Sequence, residues 1–194
     1  MTAQTVAEVL ESTRGRLWTW ADLQDLPDGH RYEIIDGSLL VSASPTPWHQ
    51  LVGGELVAML RPTVPADLAV LETVDVVIRD SVLEPDVLIV RRAAITREAK
   101  RFEPQDVVMV VEVESPSSRR FDRLVKPSVY AEAGIEHYWR VDLDQAGPTL
   151  VLYELAGSAY RMTRSVPAGE SVQVNAPFPV ELRPADLIGP RRRD

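Results

Sequence analysis

An α/β domain built on a mixed β-sheet is the fold class this sequence predicts, and three observations predict it. Two β-rich runs, Arg31-Tyr32-Glu33-Ile34-Ile35 and Ser38-Leu39-Leu40-Val41, flank Asp36-Gly37 in the pattern of a tight hairpin. Over 48–60 the apolar residues Leu51, Val52, Leu56, Val57 and Leu60 recur at helical spacing. The run 106–113 is nearly all Val and Met, which suits a central strand buried on both faces. Strand-like and helix-like segments share the chain without an internal repeat or a linker, so one domain spanning 1–194 is expected.

The elements follow in order. Thr19-Trp20-Ala21-Asp22-Leu23 reads as a short capped helix, with Thr19 as N-cap and Asp22 at the third helical position. Pro27-Asp28-Gly29 ends it, and the hairpin follows. Ser44-Pro45-Thr46-Pro47 is a loop that leads into the amphipathic helix. A break at 62–67 precedes a strand at 69–77, a turn at Arg79-Asp80-Ser81 and a strand at 86–90. Residues 95–100 read as a short helix or turn. Beyond the central strand a helix is expected over 122–133, stopped by Gly134, and then a strand at 137–141. Hairpin patterns occupy 150–155, 159–165 and 171–174, and the Pro-rich 176–190 is expected to wrap the surface as irregular chain. The sheet is thus flanked by helices and carries extra β-hairpins at both ends.

Composition removes several classes of chemistry. With no cysteine, disulfides, thiol catalysis and zinc–thiolate sites are excluded. His30, His49 and His137 lack the HxH or HExxH spacing of a histidine-built zinc centre. The first residues, Met1 to Glu11, carry acids and no apolar run, and no stretch reaches membrane-spanning length. A soluble cytoplasmic protein without membrane contact is expected. The net charge of −8 argues against nucleic-acid binding through the overall field and leaves only local basic faces. Arg91-Arg92, Arg97, Lys100-Arg101 and the group Arg119, Arg120 and Arg123 are the candidates; Arg191 to Arg193 read as solvated surface charge.

Two segments stand out against this background: Glu84-Pro85-Asp86-Val87, and Val111-Glu112-Val113-Glu114 running into Ser115-Pro116-Ser117-Ser118. Each sets carboxylates in or beside a run of Val, Leu and Ile. Two carboxylates about 4 Å apart repel by roughly 4 kcal/mol at an effective dielectric near 20, before desolvation is counted. A divalent cation would offset that cost if Asp86 and Glu112 meet in space. The alternative is a structural ion pair of these acids with Arg119 or Arg123. Strand alternation puts Glu114 on the same face as Glu112, as a possible additional acid.

The order of these features resembles the PD-(D/E)XK nuclease core. In closer detail it is similar to the Uma-type family of restriction endonucleases, long classed as a domain of unknown function. The likeness covers nearly the whole chain. It rests on Arg31-Tyr32-Glu33 with Asp36-Gly37, Ser44-Pro45 with His49, and Pro85-Asp86. It continues through Val111-Glu112-Val113 with Ser115-Pro116-Ser117, Asp122, Lys126, Tyr130 and Gly134, then Glu136 with Tyr138-Trp139 and Asp142.

The resemblance implies a restriction-endonuclease-like core. It also implies that Asp86 and Glu112 hold Mg²⁺ or Mn²⁺ with the backbone carbonyl of Val113. Hydrolysis of a DNA phosphodiester by a homodimer is the implied activity. The superfamily usually places a lysine two residues after the glutamate, and here that position is Glu114. The resemblance moves the lysine to the following helix, as Lys126, where Pro127 biases it away from helical backbone and Arg123 is a substitute. Glu33 is an active-site carboxylate by resemblance or, more simply, a strand acid paired with Arg31. His49 either contacts phosphate or steadies Glu33, or is a partly buried surface residue. Arg119 and Arg123 are candidate substrate contacts. Tyr130 and Trp139 read as core, and Asp142 as a turn or cap residue. The rival function is a nuclease-fold protein that binds nucleic acid or a protein without cutting it. A phosphatase or nucleotide hydrolase lacks support, since there is no Gly-rich phosphate loop.

Overall fold

The computed structural model describes residues 15–116 and 118–189. The expectations for Met1 to Glu11, for Ser117 and for the Arg191 to Arg193 triplet lie outside the described residues. Helix α1 (Trp20–Leu23) is capped as expected, Asp22 Oδ2 accepting the Thr19 amide at 2.8 Å. Strands β1 (His30–Ile35) and β2 (Ser38–Ala43) form the hairpin around Asp36 and Gly37. Both turn residues have positive φ (48° and 73°), a backbone conformation that favours glycine at Gly37.

Helix α2 (Pro47–Leu60) starts at the N-cap Thr46, with proline tolerated in its first turn. The segment expected as one strand over 69–77 is two. β3 (Leu68–Glu72) ends at Thr73, whose φ of 50° turns the chain into β4 (Asp75–Ile78) in a different sheet. β5 (Ser81–Leu83) returns along β4, and β6 (Val87–Arg91) then pairs with β3. Over 95–100 no helix forms; a 3-10 turn lies earlier, at Arg92–Ala94. The short β7 (Arg101–Phe102) leads to β8 (Val107–Val113), helix α3 (Lys126–Glu132) and β9 (His137–Asp144). β10 (Gly147–Ala156) and β11 (Ala159–Val166) form a long hairpin, followed by β12 (Val172–Val174) and β13 (Val180–Leu182).

The strands form a five-stranded sheet, β2-β1-β5-β4-β7, a six-stranded sheet, β11-β10-β9-β8-β6-β3, and the β12-β13 pair. β8 and β9 are parallel and joined through α3; their antiparallel neighbours make the large sheet mixed. Alternation decides which face each residue serves. Val87, Ile89, Met109 and Val111 pack with Val52, Leu56 and Leu60 of α2, whereas Leu88, Val90 and Val110 pack with Tyr130 and Tyr138. Both faces of β8 are therefore covered, as its Val-rich sequence predicts. The chain after 176 departs from the expected irregular wrap. Phe178, Val180, Leu182 and Leu187 are buried with α2 in the main core, and apolar side chains at this spacing carry enough area to order the segment.

Candidate active site

The large sheet and the hairpin of the small one meet at a pocket of about 550 Å³, lined by residues of β1, α2, the start of β6, the end of β8 and the turn before α3. Asp86 immediately precedes β6, and the register that sets Val87 opposite Val111 brings it beside Glu112 on β8. The two acids are 6% and 1% exposed. Buried acids need partners, and both have them. Asp86 Oδ1 accepts Arg31 Nη1 at 2.6 Å, and Oδ2 accepts the Val113 amide at 2.7 Å. His49 Nε2 lies 3.2 Å from the same Oδ2 and 2.8 Å from the Val113 carbonyl oxygen. Burial would raise the Asp86 pKa, but the His49 hydrogen bond and the Arg31 charge outweigh it and hold this carboxyl well below its usual range.

Glu112 faces α3. Its Oε2 accepts Lys126 Nζ at 3.0 Å and its Oε1 accepts the Tyr130 hydroxyl at 2.8 Å. Lys126 Nζ also lies 3.0 Å from Glu33 Oε1 and 3.5 Å from Asp122 Oδ1. One ammonium thus serves three buried carboxylates. Burial would lower the Lys126 pKa, but Glu112, Glu33 and Asp122 raise it well above that of an exposed lysine. Burial also pushes Glu112 and Asp122 upward, only partly opposed by Lys126. Glu33 Oε1 further accepts the Glu84 amide at 3.0 Å. Arg31, the simpler partner expected for Glu33, is turned instead to Asp86.

The proline after Lys126 does not displace the lysine, and the helix shows why. Lys126 is helical (φ −56°, ψ −43°), and the preceding turn, Phe121–Val125, is a π-turn in which the Lys126 amide bonds to the Phe121 carbonyl. A proline in an α-helix clashes with the carbonyl four residues earlier, and the wider turn relieves that contact. In the π-register Pro127 would have to donate to the Asp122 carbonyl and has no N–H to give. The buried Tyr138 hydroxyl donates to that carbonyl instead, at 2.5 Å. Arg123 is accordingly not a substitute for Lys126.

Arg123 belongs to a separate cluster. Glu114, 2% exposed, accepts Arg119 Nε at 2.7 Å and both Nε and Nη2 of Arg123, and Arg140 Nε lies 3.8 Å away. Asp142 accepts from Arg140 and from Arg123, so it is an ion-pair residue rather than a cap. Arg119 and Arg123 therefore pair with Glu114 and not with Asp86 or Glu112; their side chains remain 52% and 41% exposed. Sequence reasoning passed over Arg31 and Asp122 as site residues. The signals were the two-residue spacing of Arg31 and Glu33 along a strand, and the four-residue spacing of Asp122, Lys126 and Tyr130 on one helix face.

Among the described residues, no group of three or more His, Asp or Glu side chains is arranged as a metal cluster. The donor set nonetheless fits a hard cation of the kind that takes one or two carboxylates and completes its shell with water and phosphate. Asp86 Oδ2 and the Val113 oxygen converge on a single point, as their shared neighbour His49 Nε2 shows.

The sequence profile of the Uma2 family, described as putative restriction endonuclease, matches residues 20–187. The chain belongs to the Uma2 family. That membership supports nuclease function in general terms. Among solved structures, the chain is similar to a putative nuclease belonging to DUF820 from Anabaena variabilis ATCC 29413. The TM-score is 0.68 at 18% identity, over 88% of this chain and 97% of that one, which shows a shared fold. No curated protein matches the sequence. The Uma2 core here is restriction-endonuclease-like, with the mixed sheet and the acid-bearing strand ends that the sequence predicts. Among the described residues, no helix is long and apolar enough to cross a membrane.

Proposed function

We propose that this chain is a divalent-metal-dependent endonuclease that hydrolyses DNA phosphodiester bonds, with Mg²⁺ or Mn²⁺ held by Asp86, Glu112 and the Val113 carbonyl. The observation that carries this reading is a charge imbalance. Among the described residues that line the pocket, Glu33, Asp86, Glu112 and Asp122 are accompanied by two permanent cations, Arg31 and Lys126. Such a pocket repels a phosphate backbone unless a further cation enters it. The convergence of Asp86 Oδ2 and the Val113 oxygen supports the position of that cation.

A divalent ion, when bound, supplies a Lewis acid beside the scissile phosphate and lowers the pKa of a water. The protein's own groups then have distinct tasks. Lys126 is an ammonium held by three acids, so it donates to charge developing on the phosphate and does not take a proton from water. Glu33 and Asp122 hold its amine in place, and Tyr130 fixes Glu112. Arg119 and Arg123, partly exposed beside Glu114, would meet backbone phosphates. A homodimer would set one such pocket on each strand of a duplex.

The test is cleavage of supercoiled plasmid, circular single-stranded DNA and RNA with Mg²⁺ or Mn²⁺, in the wild type and in Asp86→Ala and Glu112→Ala, with calorimetric Mn²⁺ titration of all three proteins. Metal-stimulated DNA cleavage that disappears in both variants is expected. Mn²⁺ binding that persists in both would sink the site assignment. The engagement of Lys126 by three acids favours a second reading, a binding module that does not cut. The same assay with an added mobility-shift measurement separates them: that reading expects DNA retention without metal-stimulated cleavage.

A further inference from the structure

We propose that His49 fills the cation seat while the metal is absent and must leave when a divalent ion binds, making it an internal competitor of the ion rather than a ligand. This rests on the metal-dependent reading above. The geometry is specific to one ring nitrogen. His49 Nε2 sits 2.8 Å from the Val113 oxygen and 3.2 Å from Asp86 Oδ2, bridging two oxygens that the proposed ion also needs. To bond a carbonyl oxygen, which can only accept, Nε2 must carry a proton. A protonated ring nitrogen has no lone pair for a metal, so in this position His49 cannot coordinate. An ion bound to both oxygens at about 2.1 Å would stand where the Nε2–H now points. The two occupants exclude one another.

The surroundings permit the exchange. His49 lies in the first turn of α2, where its amide donates to the Thr46 side chain at 3.3 Å, so the backbone stays fixed while the ring turns. The ring lines the pocket beside Trp48, which is 50% exposed, and the open volume there accepts an imidazole. Asp86 is not stranded by its departure, because Arg31 and the Val113 amide still donate to it.

Mn²⁺ titration by calorimetry, without nucleic acid, tests the proposal in the wild type and in His49→Ala. One site in each is expected, with an affinity about tenfold tighter in the variant, since the Nε2–H no longer competes for the two oxygens. Weaker binding in a folded His49→Ala protein, or equal binding, overturns the proposal and leaves the metal reading intact. No binding in either protein overturns the metal reading itself. Two measurements on the wild type stand even if the variant fails to fold. Mg²⁺ should move the imidazole ¹⁵N resonances of His49 and not those of His30 or His137; unmoved resonances with Mg²⁺ bound overturn the proposal. Pulsed electron paramagnetic resonance of bound Mn²⁺ should lack histidine nitrogen coupling, and its presence would make His49 a ligand instead.

Discussion

Two carboxylate clusters lie side by side at the end of β8, and they are compensated in opposite ways. Around Glu114 and Asp142 stand three arginines, Arg119, Arg123 and Arg140, and both Glu114 oxygens receive guanidinium N–H groups. Around Glu33, Asp86, Glu112 and Asp122 stand one lysine, one arginine and His49. The outer cluster is complete by itself and ties the turn before α3 to β9. The inner one is short of positive charge. Under the metal reading proposed above, buried acids alone do not mark a cation site; the shortfall of cations around them does.

The comparison can be broken most sharply at the acids. Asp86→Ala or Glu112→Ala should lower Mn²⁺-dependent plasmid nicking by about a thousandfold or more, because metal assistance contributes several kcal/mol of barrier reduction. Glu114→Gln should leave the rate within about threefold. Comparable losses in both clusters would erase the distinction drawn between them. Next in size is Lys126→Met, which leaves three buried carboxylates facing one another. Urea unfolding should show a loss of about 3–5 kcal/mol without metal, and a smaller loss in Mn²⁺. An identical loss in both conditions would mean that no ion reaches this cluster.

Glu114→Gln should cost about 1–3 kcal/mol through weakened charged hydrogen bonds, with or without Mn²⁺, in the same unfolding experiment. A Mn²⁺-dependent cost there would join the two clusters into one site. Tyr138→Phe removes the donor to the Asp122 carbonyl and should cost about 1 kcal/mol while slowing cleavage. Retained stability with a retained rate would show that the π-turn holds Lys126 without it.

The smallest effect is on pH dependence. Burial raises Glu112 and Asp122 above the ordinary values of 4.5 and 3.8, so the native state keeps protons that the unfolded chain releases. His49 is also raised above 6.5: burial would lower it, but Asp86 outweighs that, and its contribution, full below 6.5, fades as pH rises through the folded value. Asp86 is lowered, so its contribution is lost only on acidification below 3.8. The metal-free melting temperature should accordingly fall as pH rises from about 5 to 8, and Glu112→Gln should flatten that slope. A rising slope in the wild type would reverse the assignment of strain to the inner acids.

Much of this was legible in the residues. The hairpin was fixed by Asp36-Gly37, α2 by its apolar spacing and β8 by its unbroken Val run, because local backbone preference and side-chain period act over a few residues. The acids at Asp86 and Glu112 were conspicuous for the same reason: each interrupts an apolar pattern. The split of 69–77 at Thr73 was hidden, since nothing in that residue marks a left-handed turn. Phe178, Val180 and Leu182 read as loop beside their prolines, although their burial orders the segment.

By itself, then, the sequence determined which residues were out of place in a buried strand. Only the tertiary structure decided how their charges are shared. Pro127 argued locally against Lys126, yet the π-turn and Tyr138, eleven residues further on, seat its amine among three acids. An ion pair with Arg119 or Arg123 was the alternative for Asp86 and Glu112, yet β9 and the turn before α3 give both arginines to Glu114. The reason is physical. Secondary structure follows from neighbours in sequence, whereas compensation of a buried charge is an interaction through space and belongs to whichever cation the fold brings within about 3 Å.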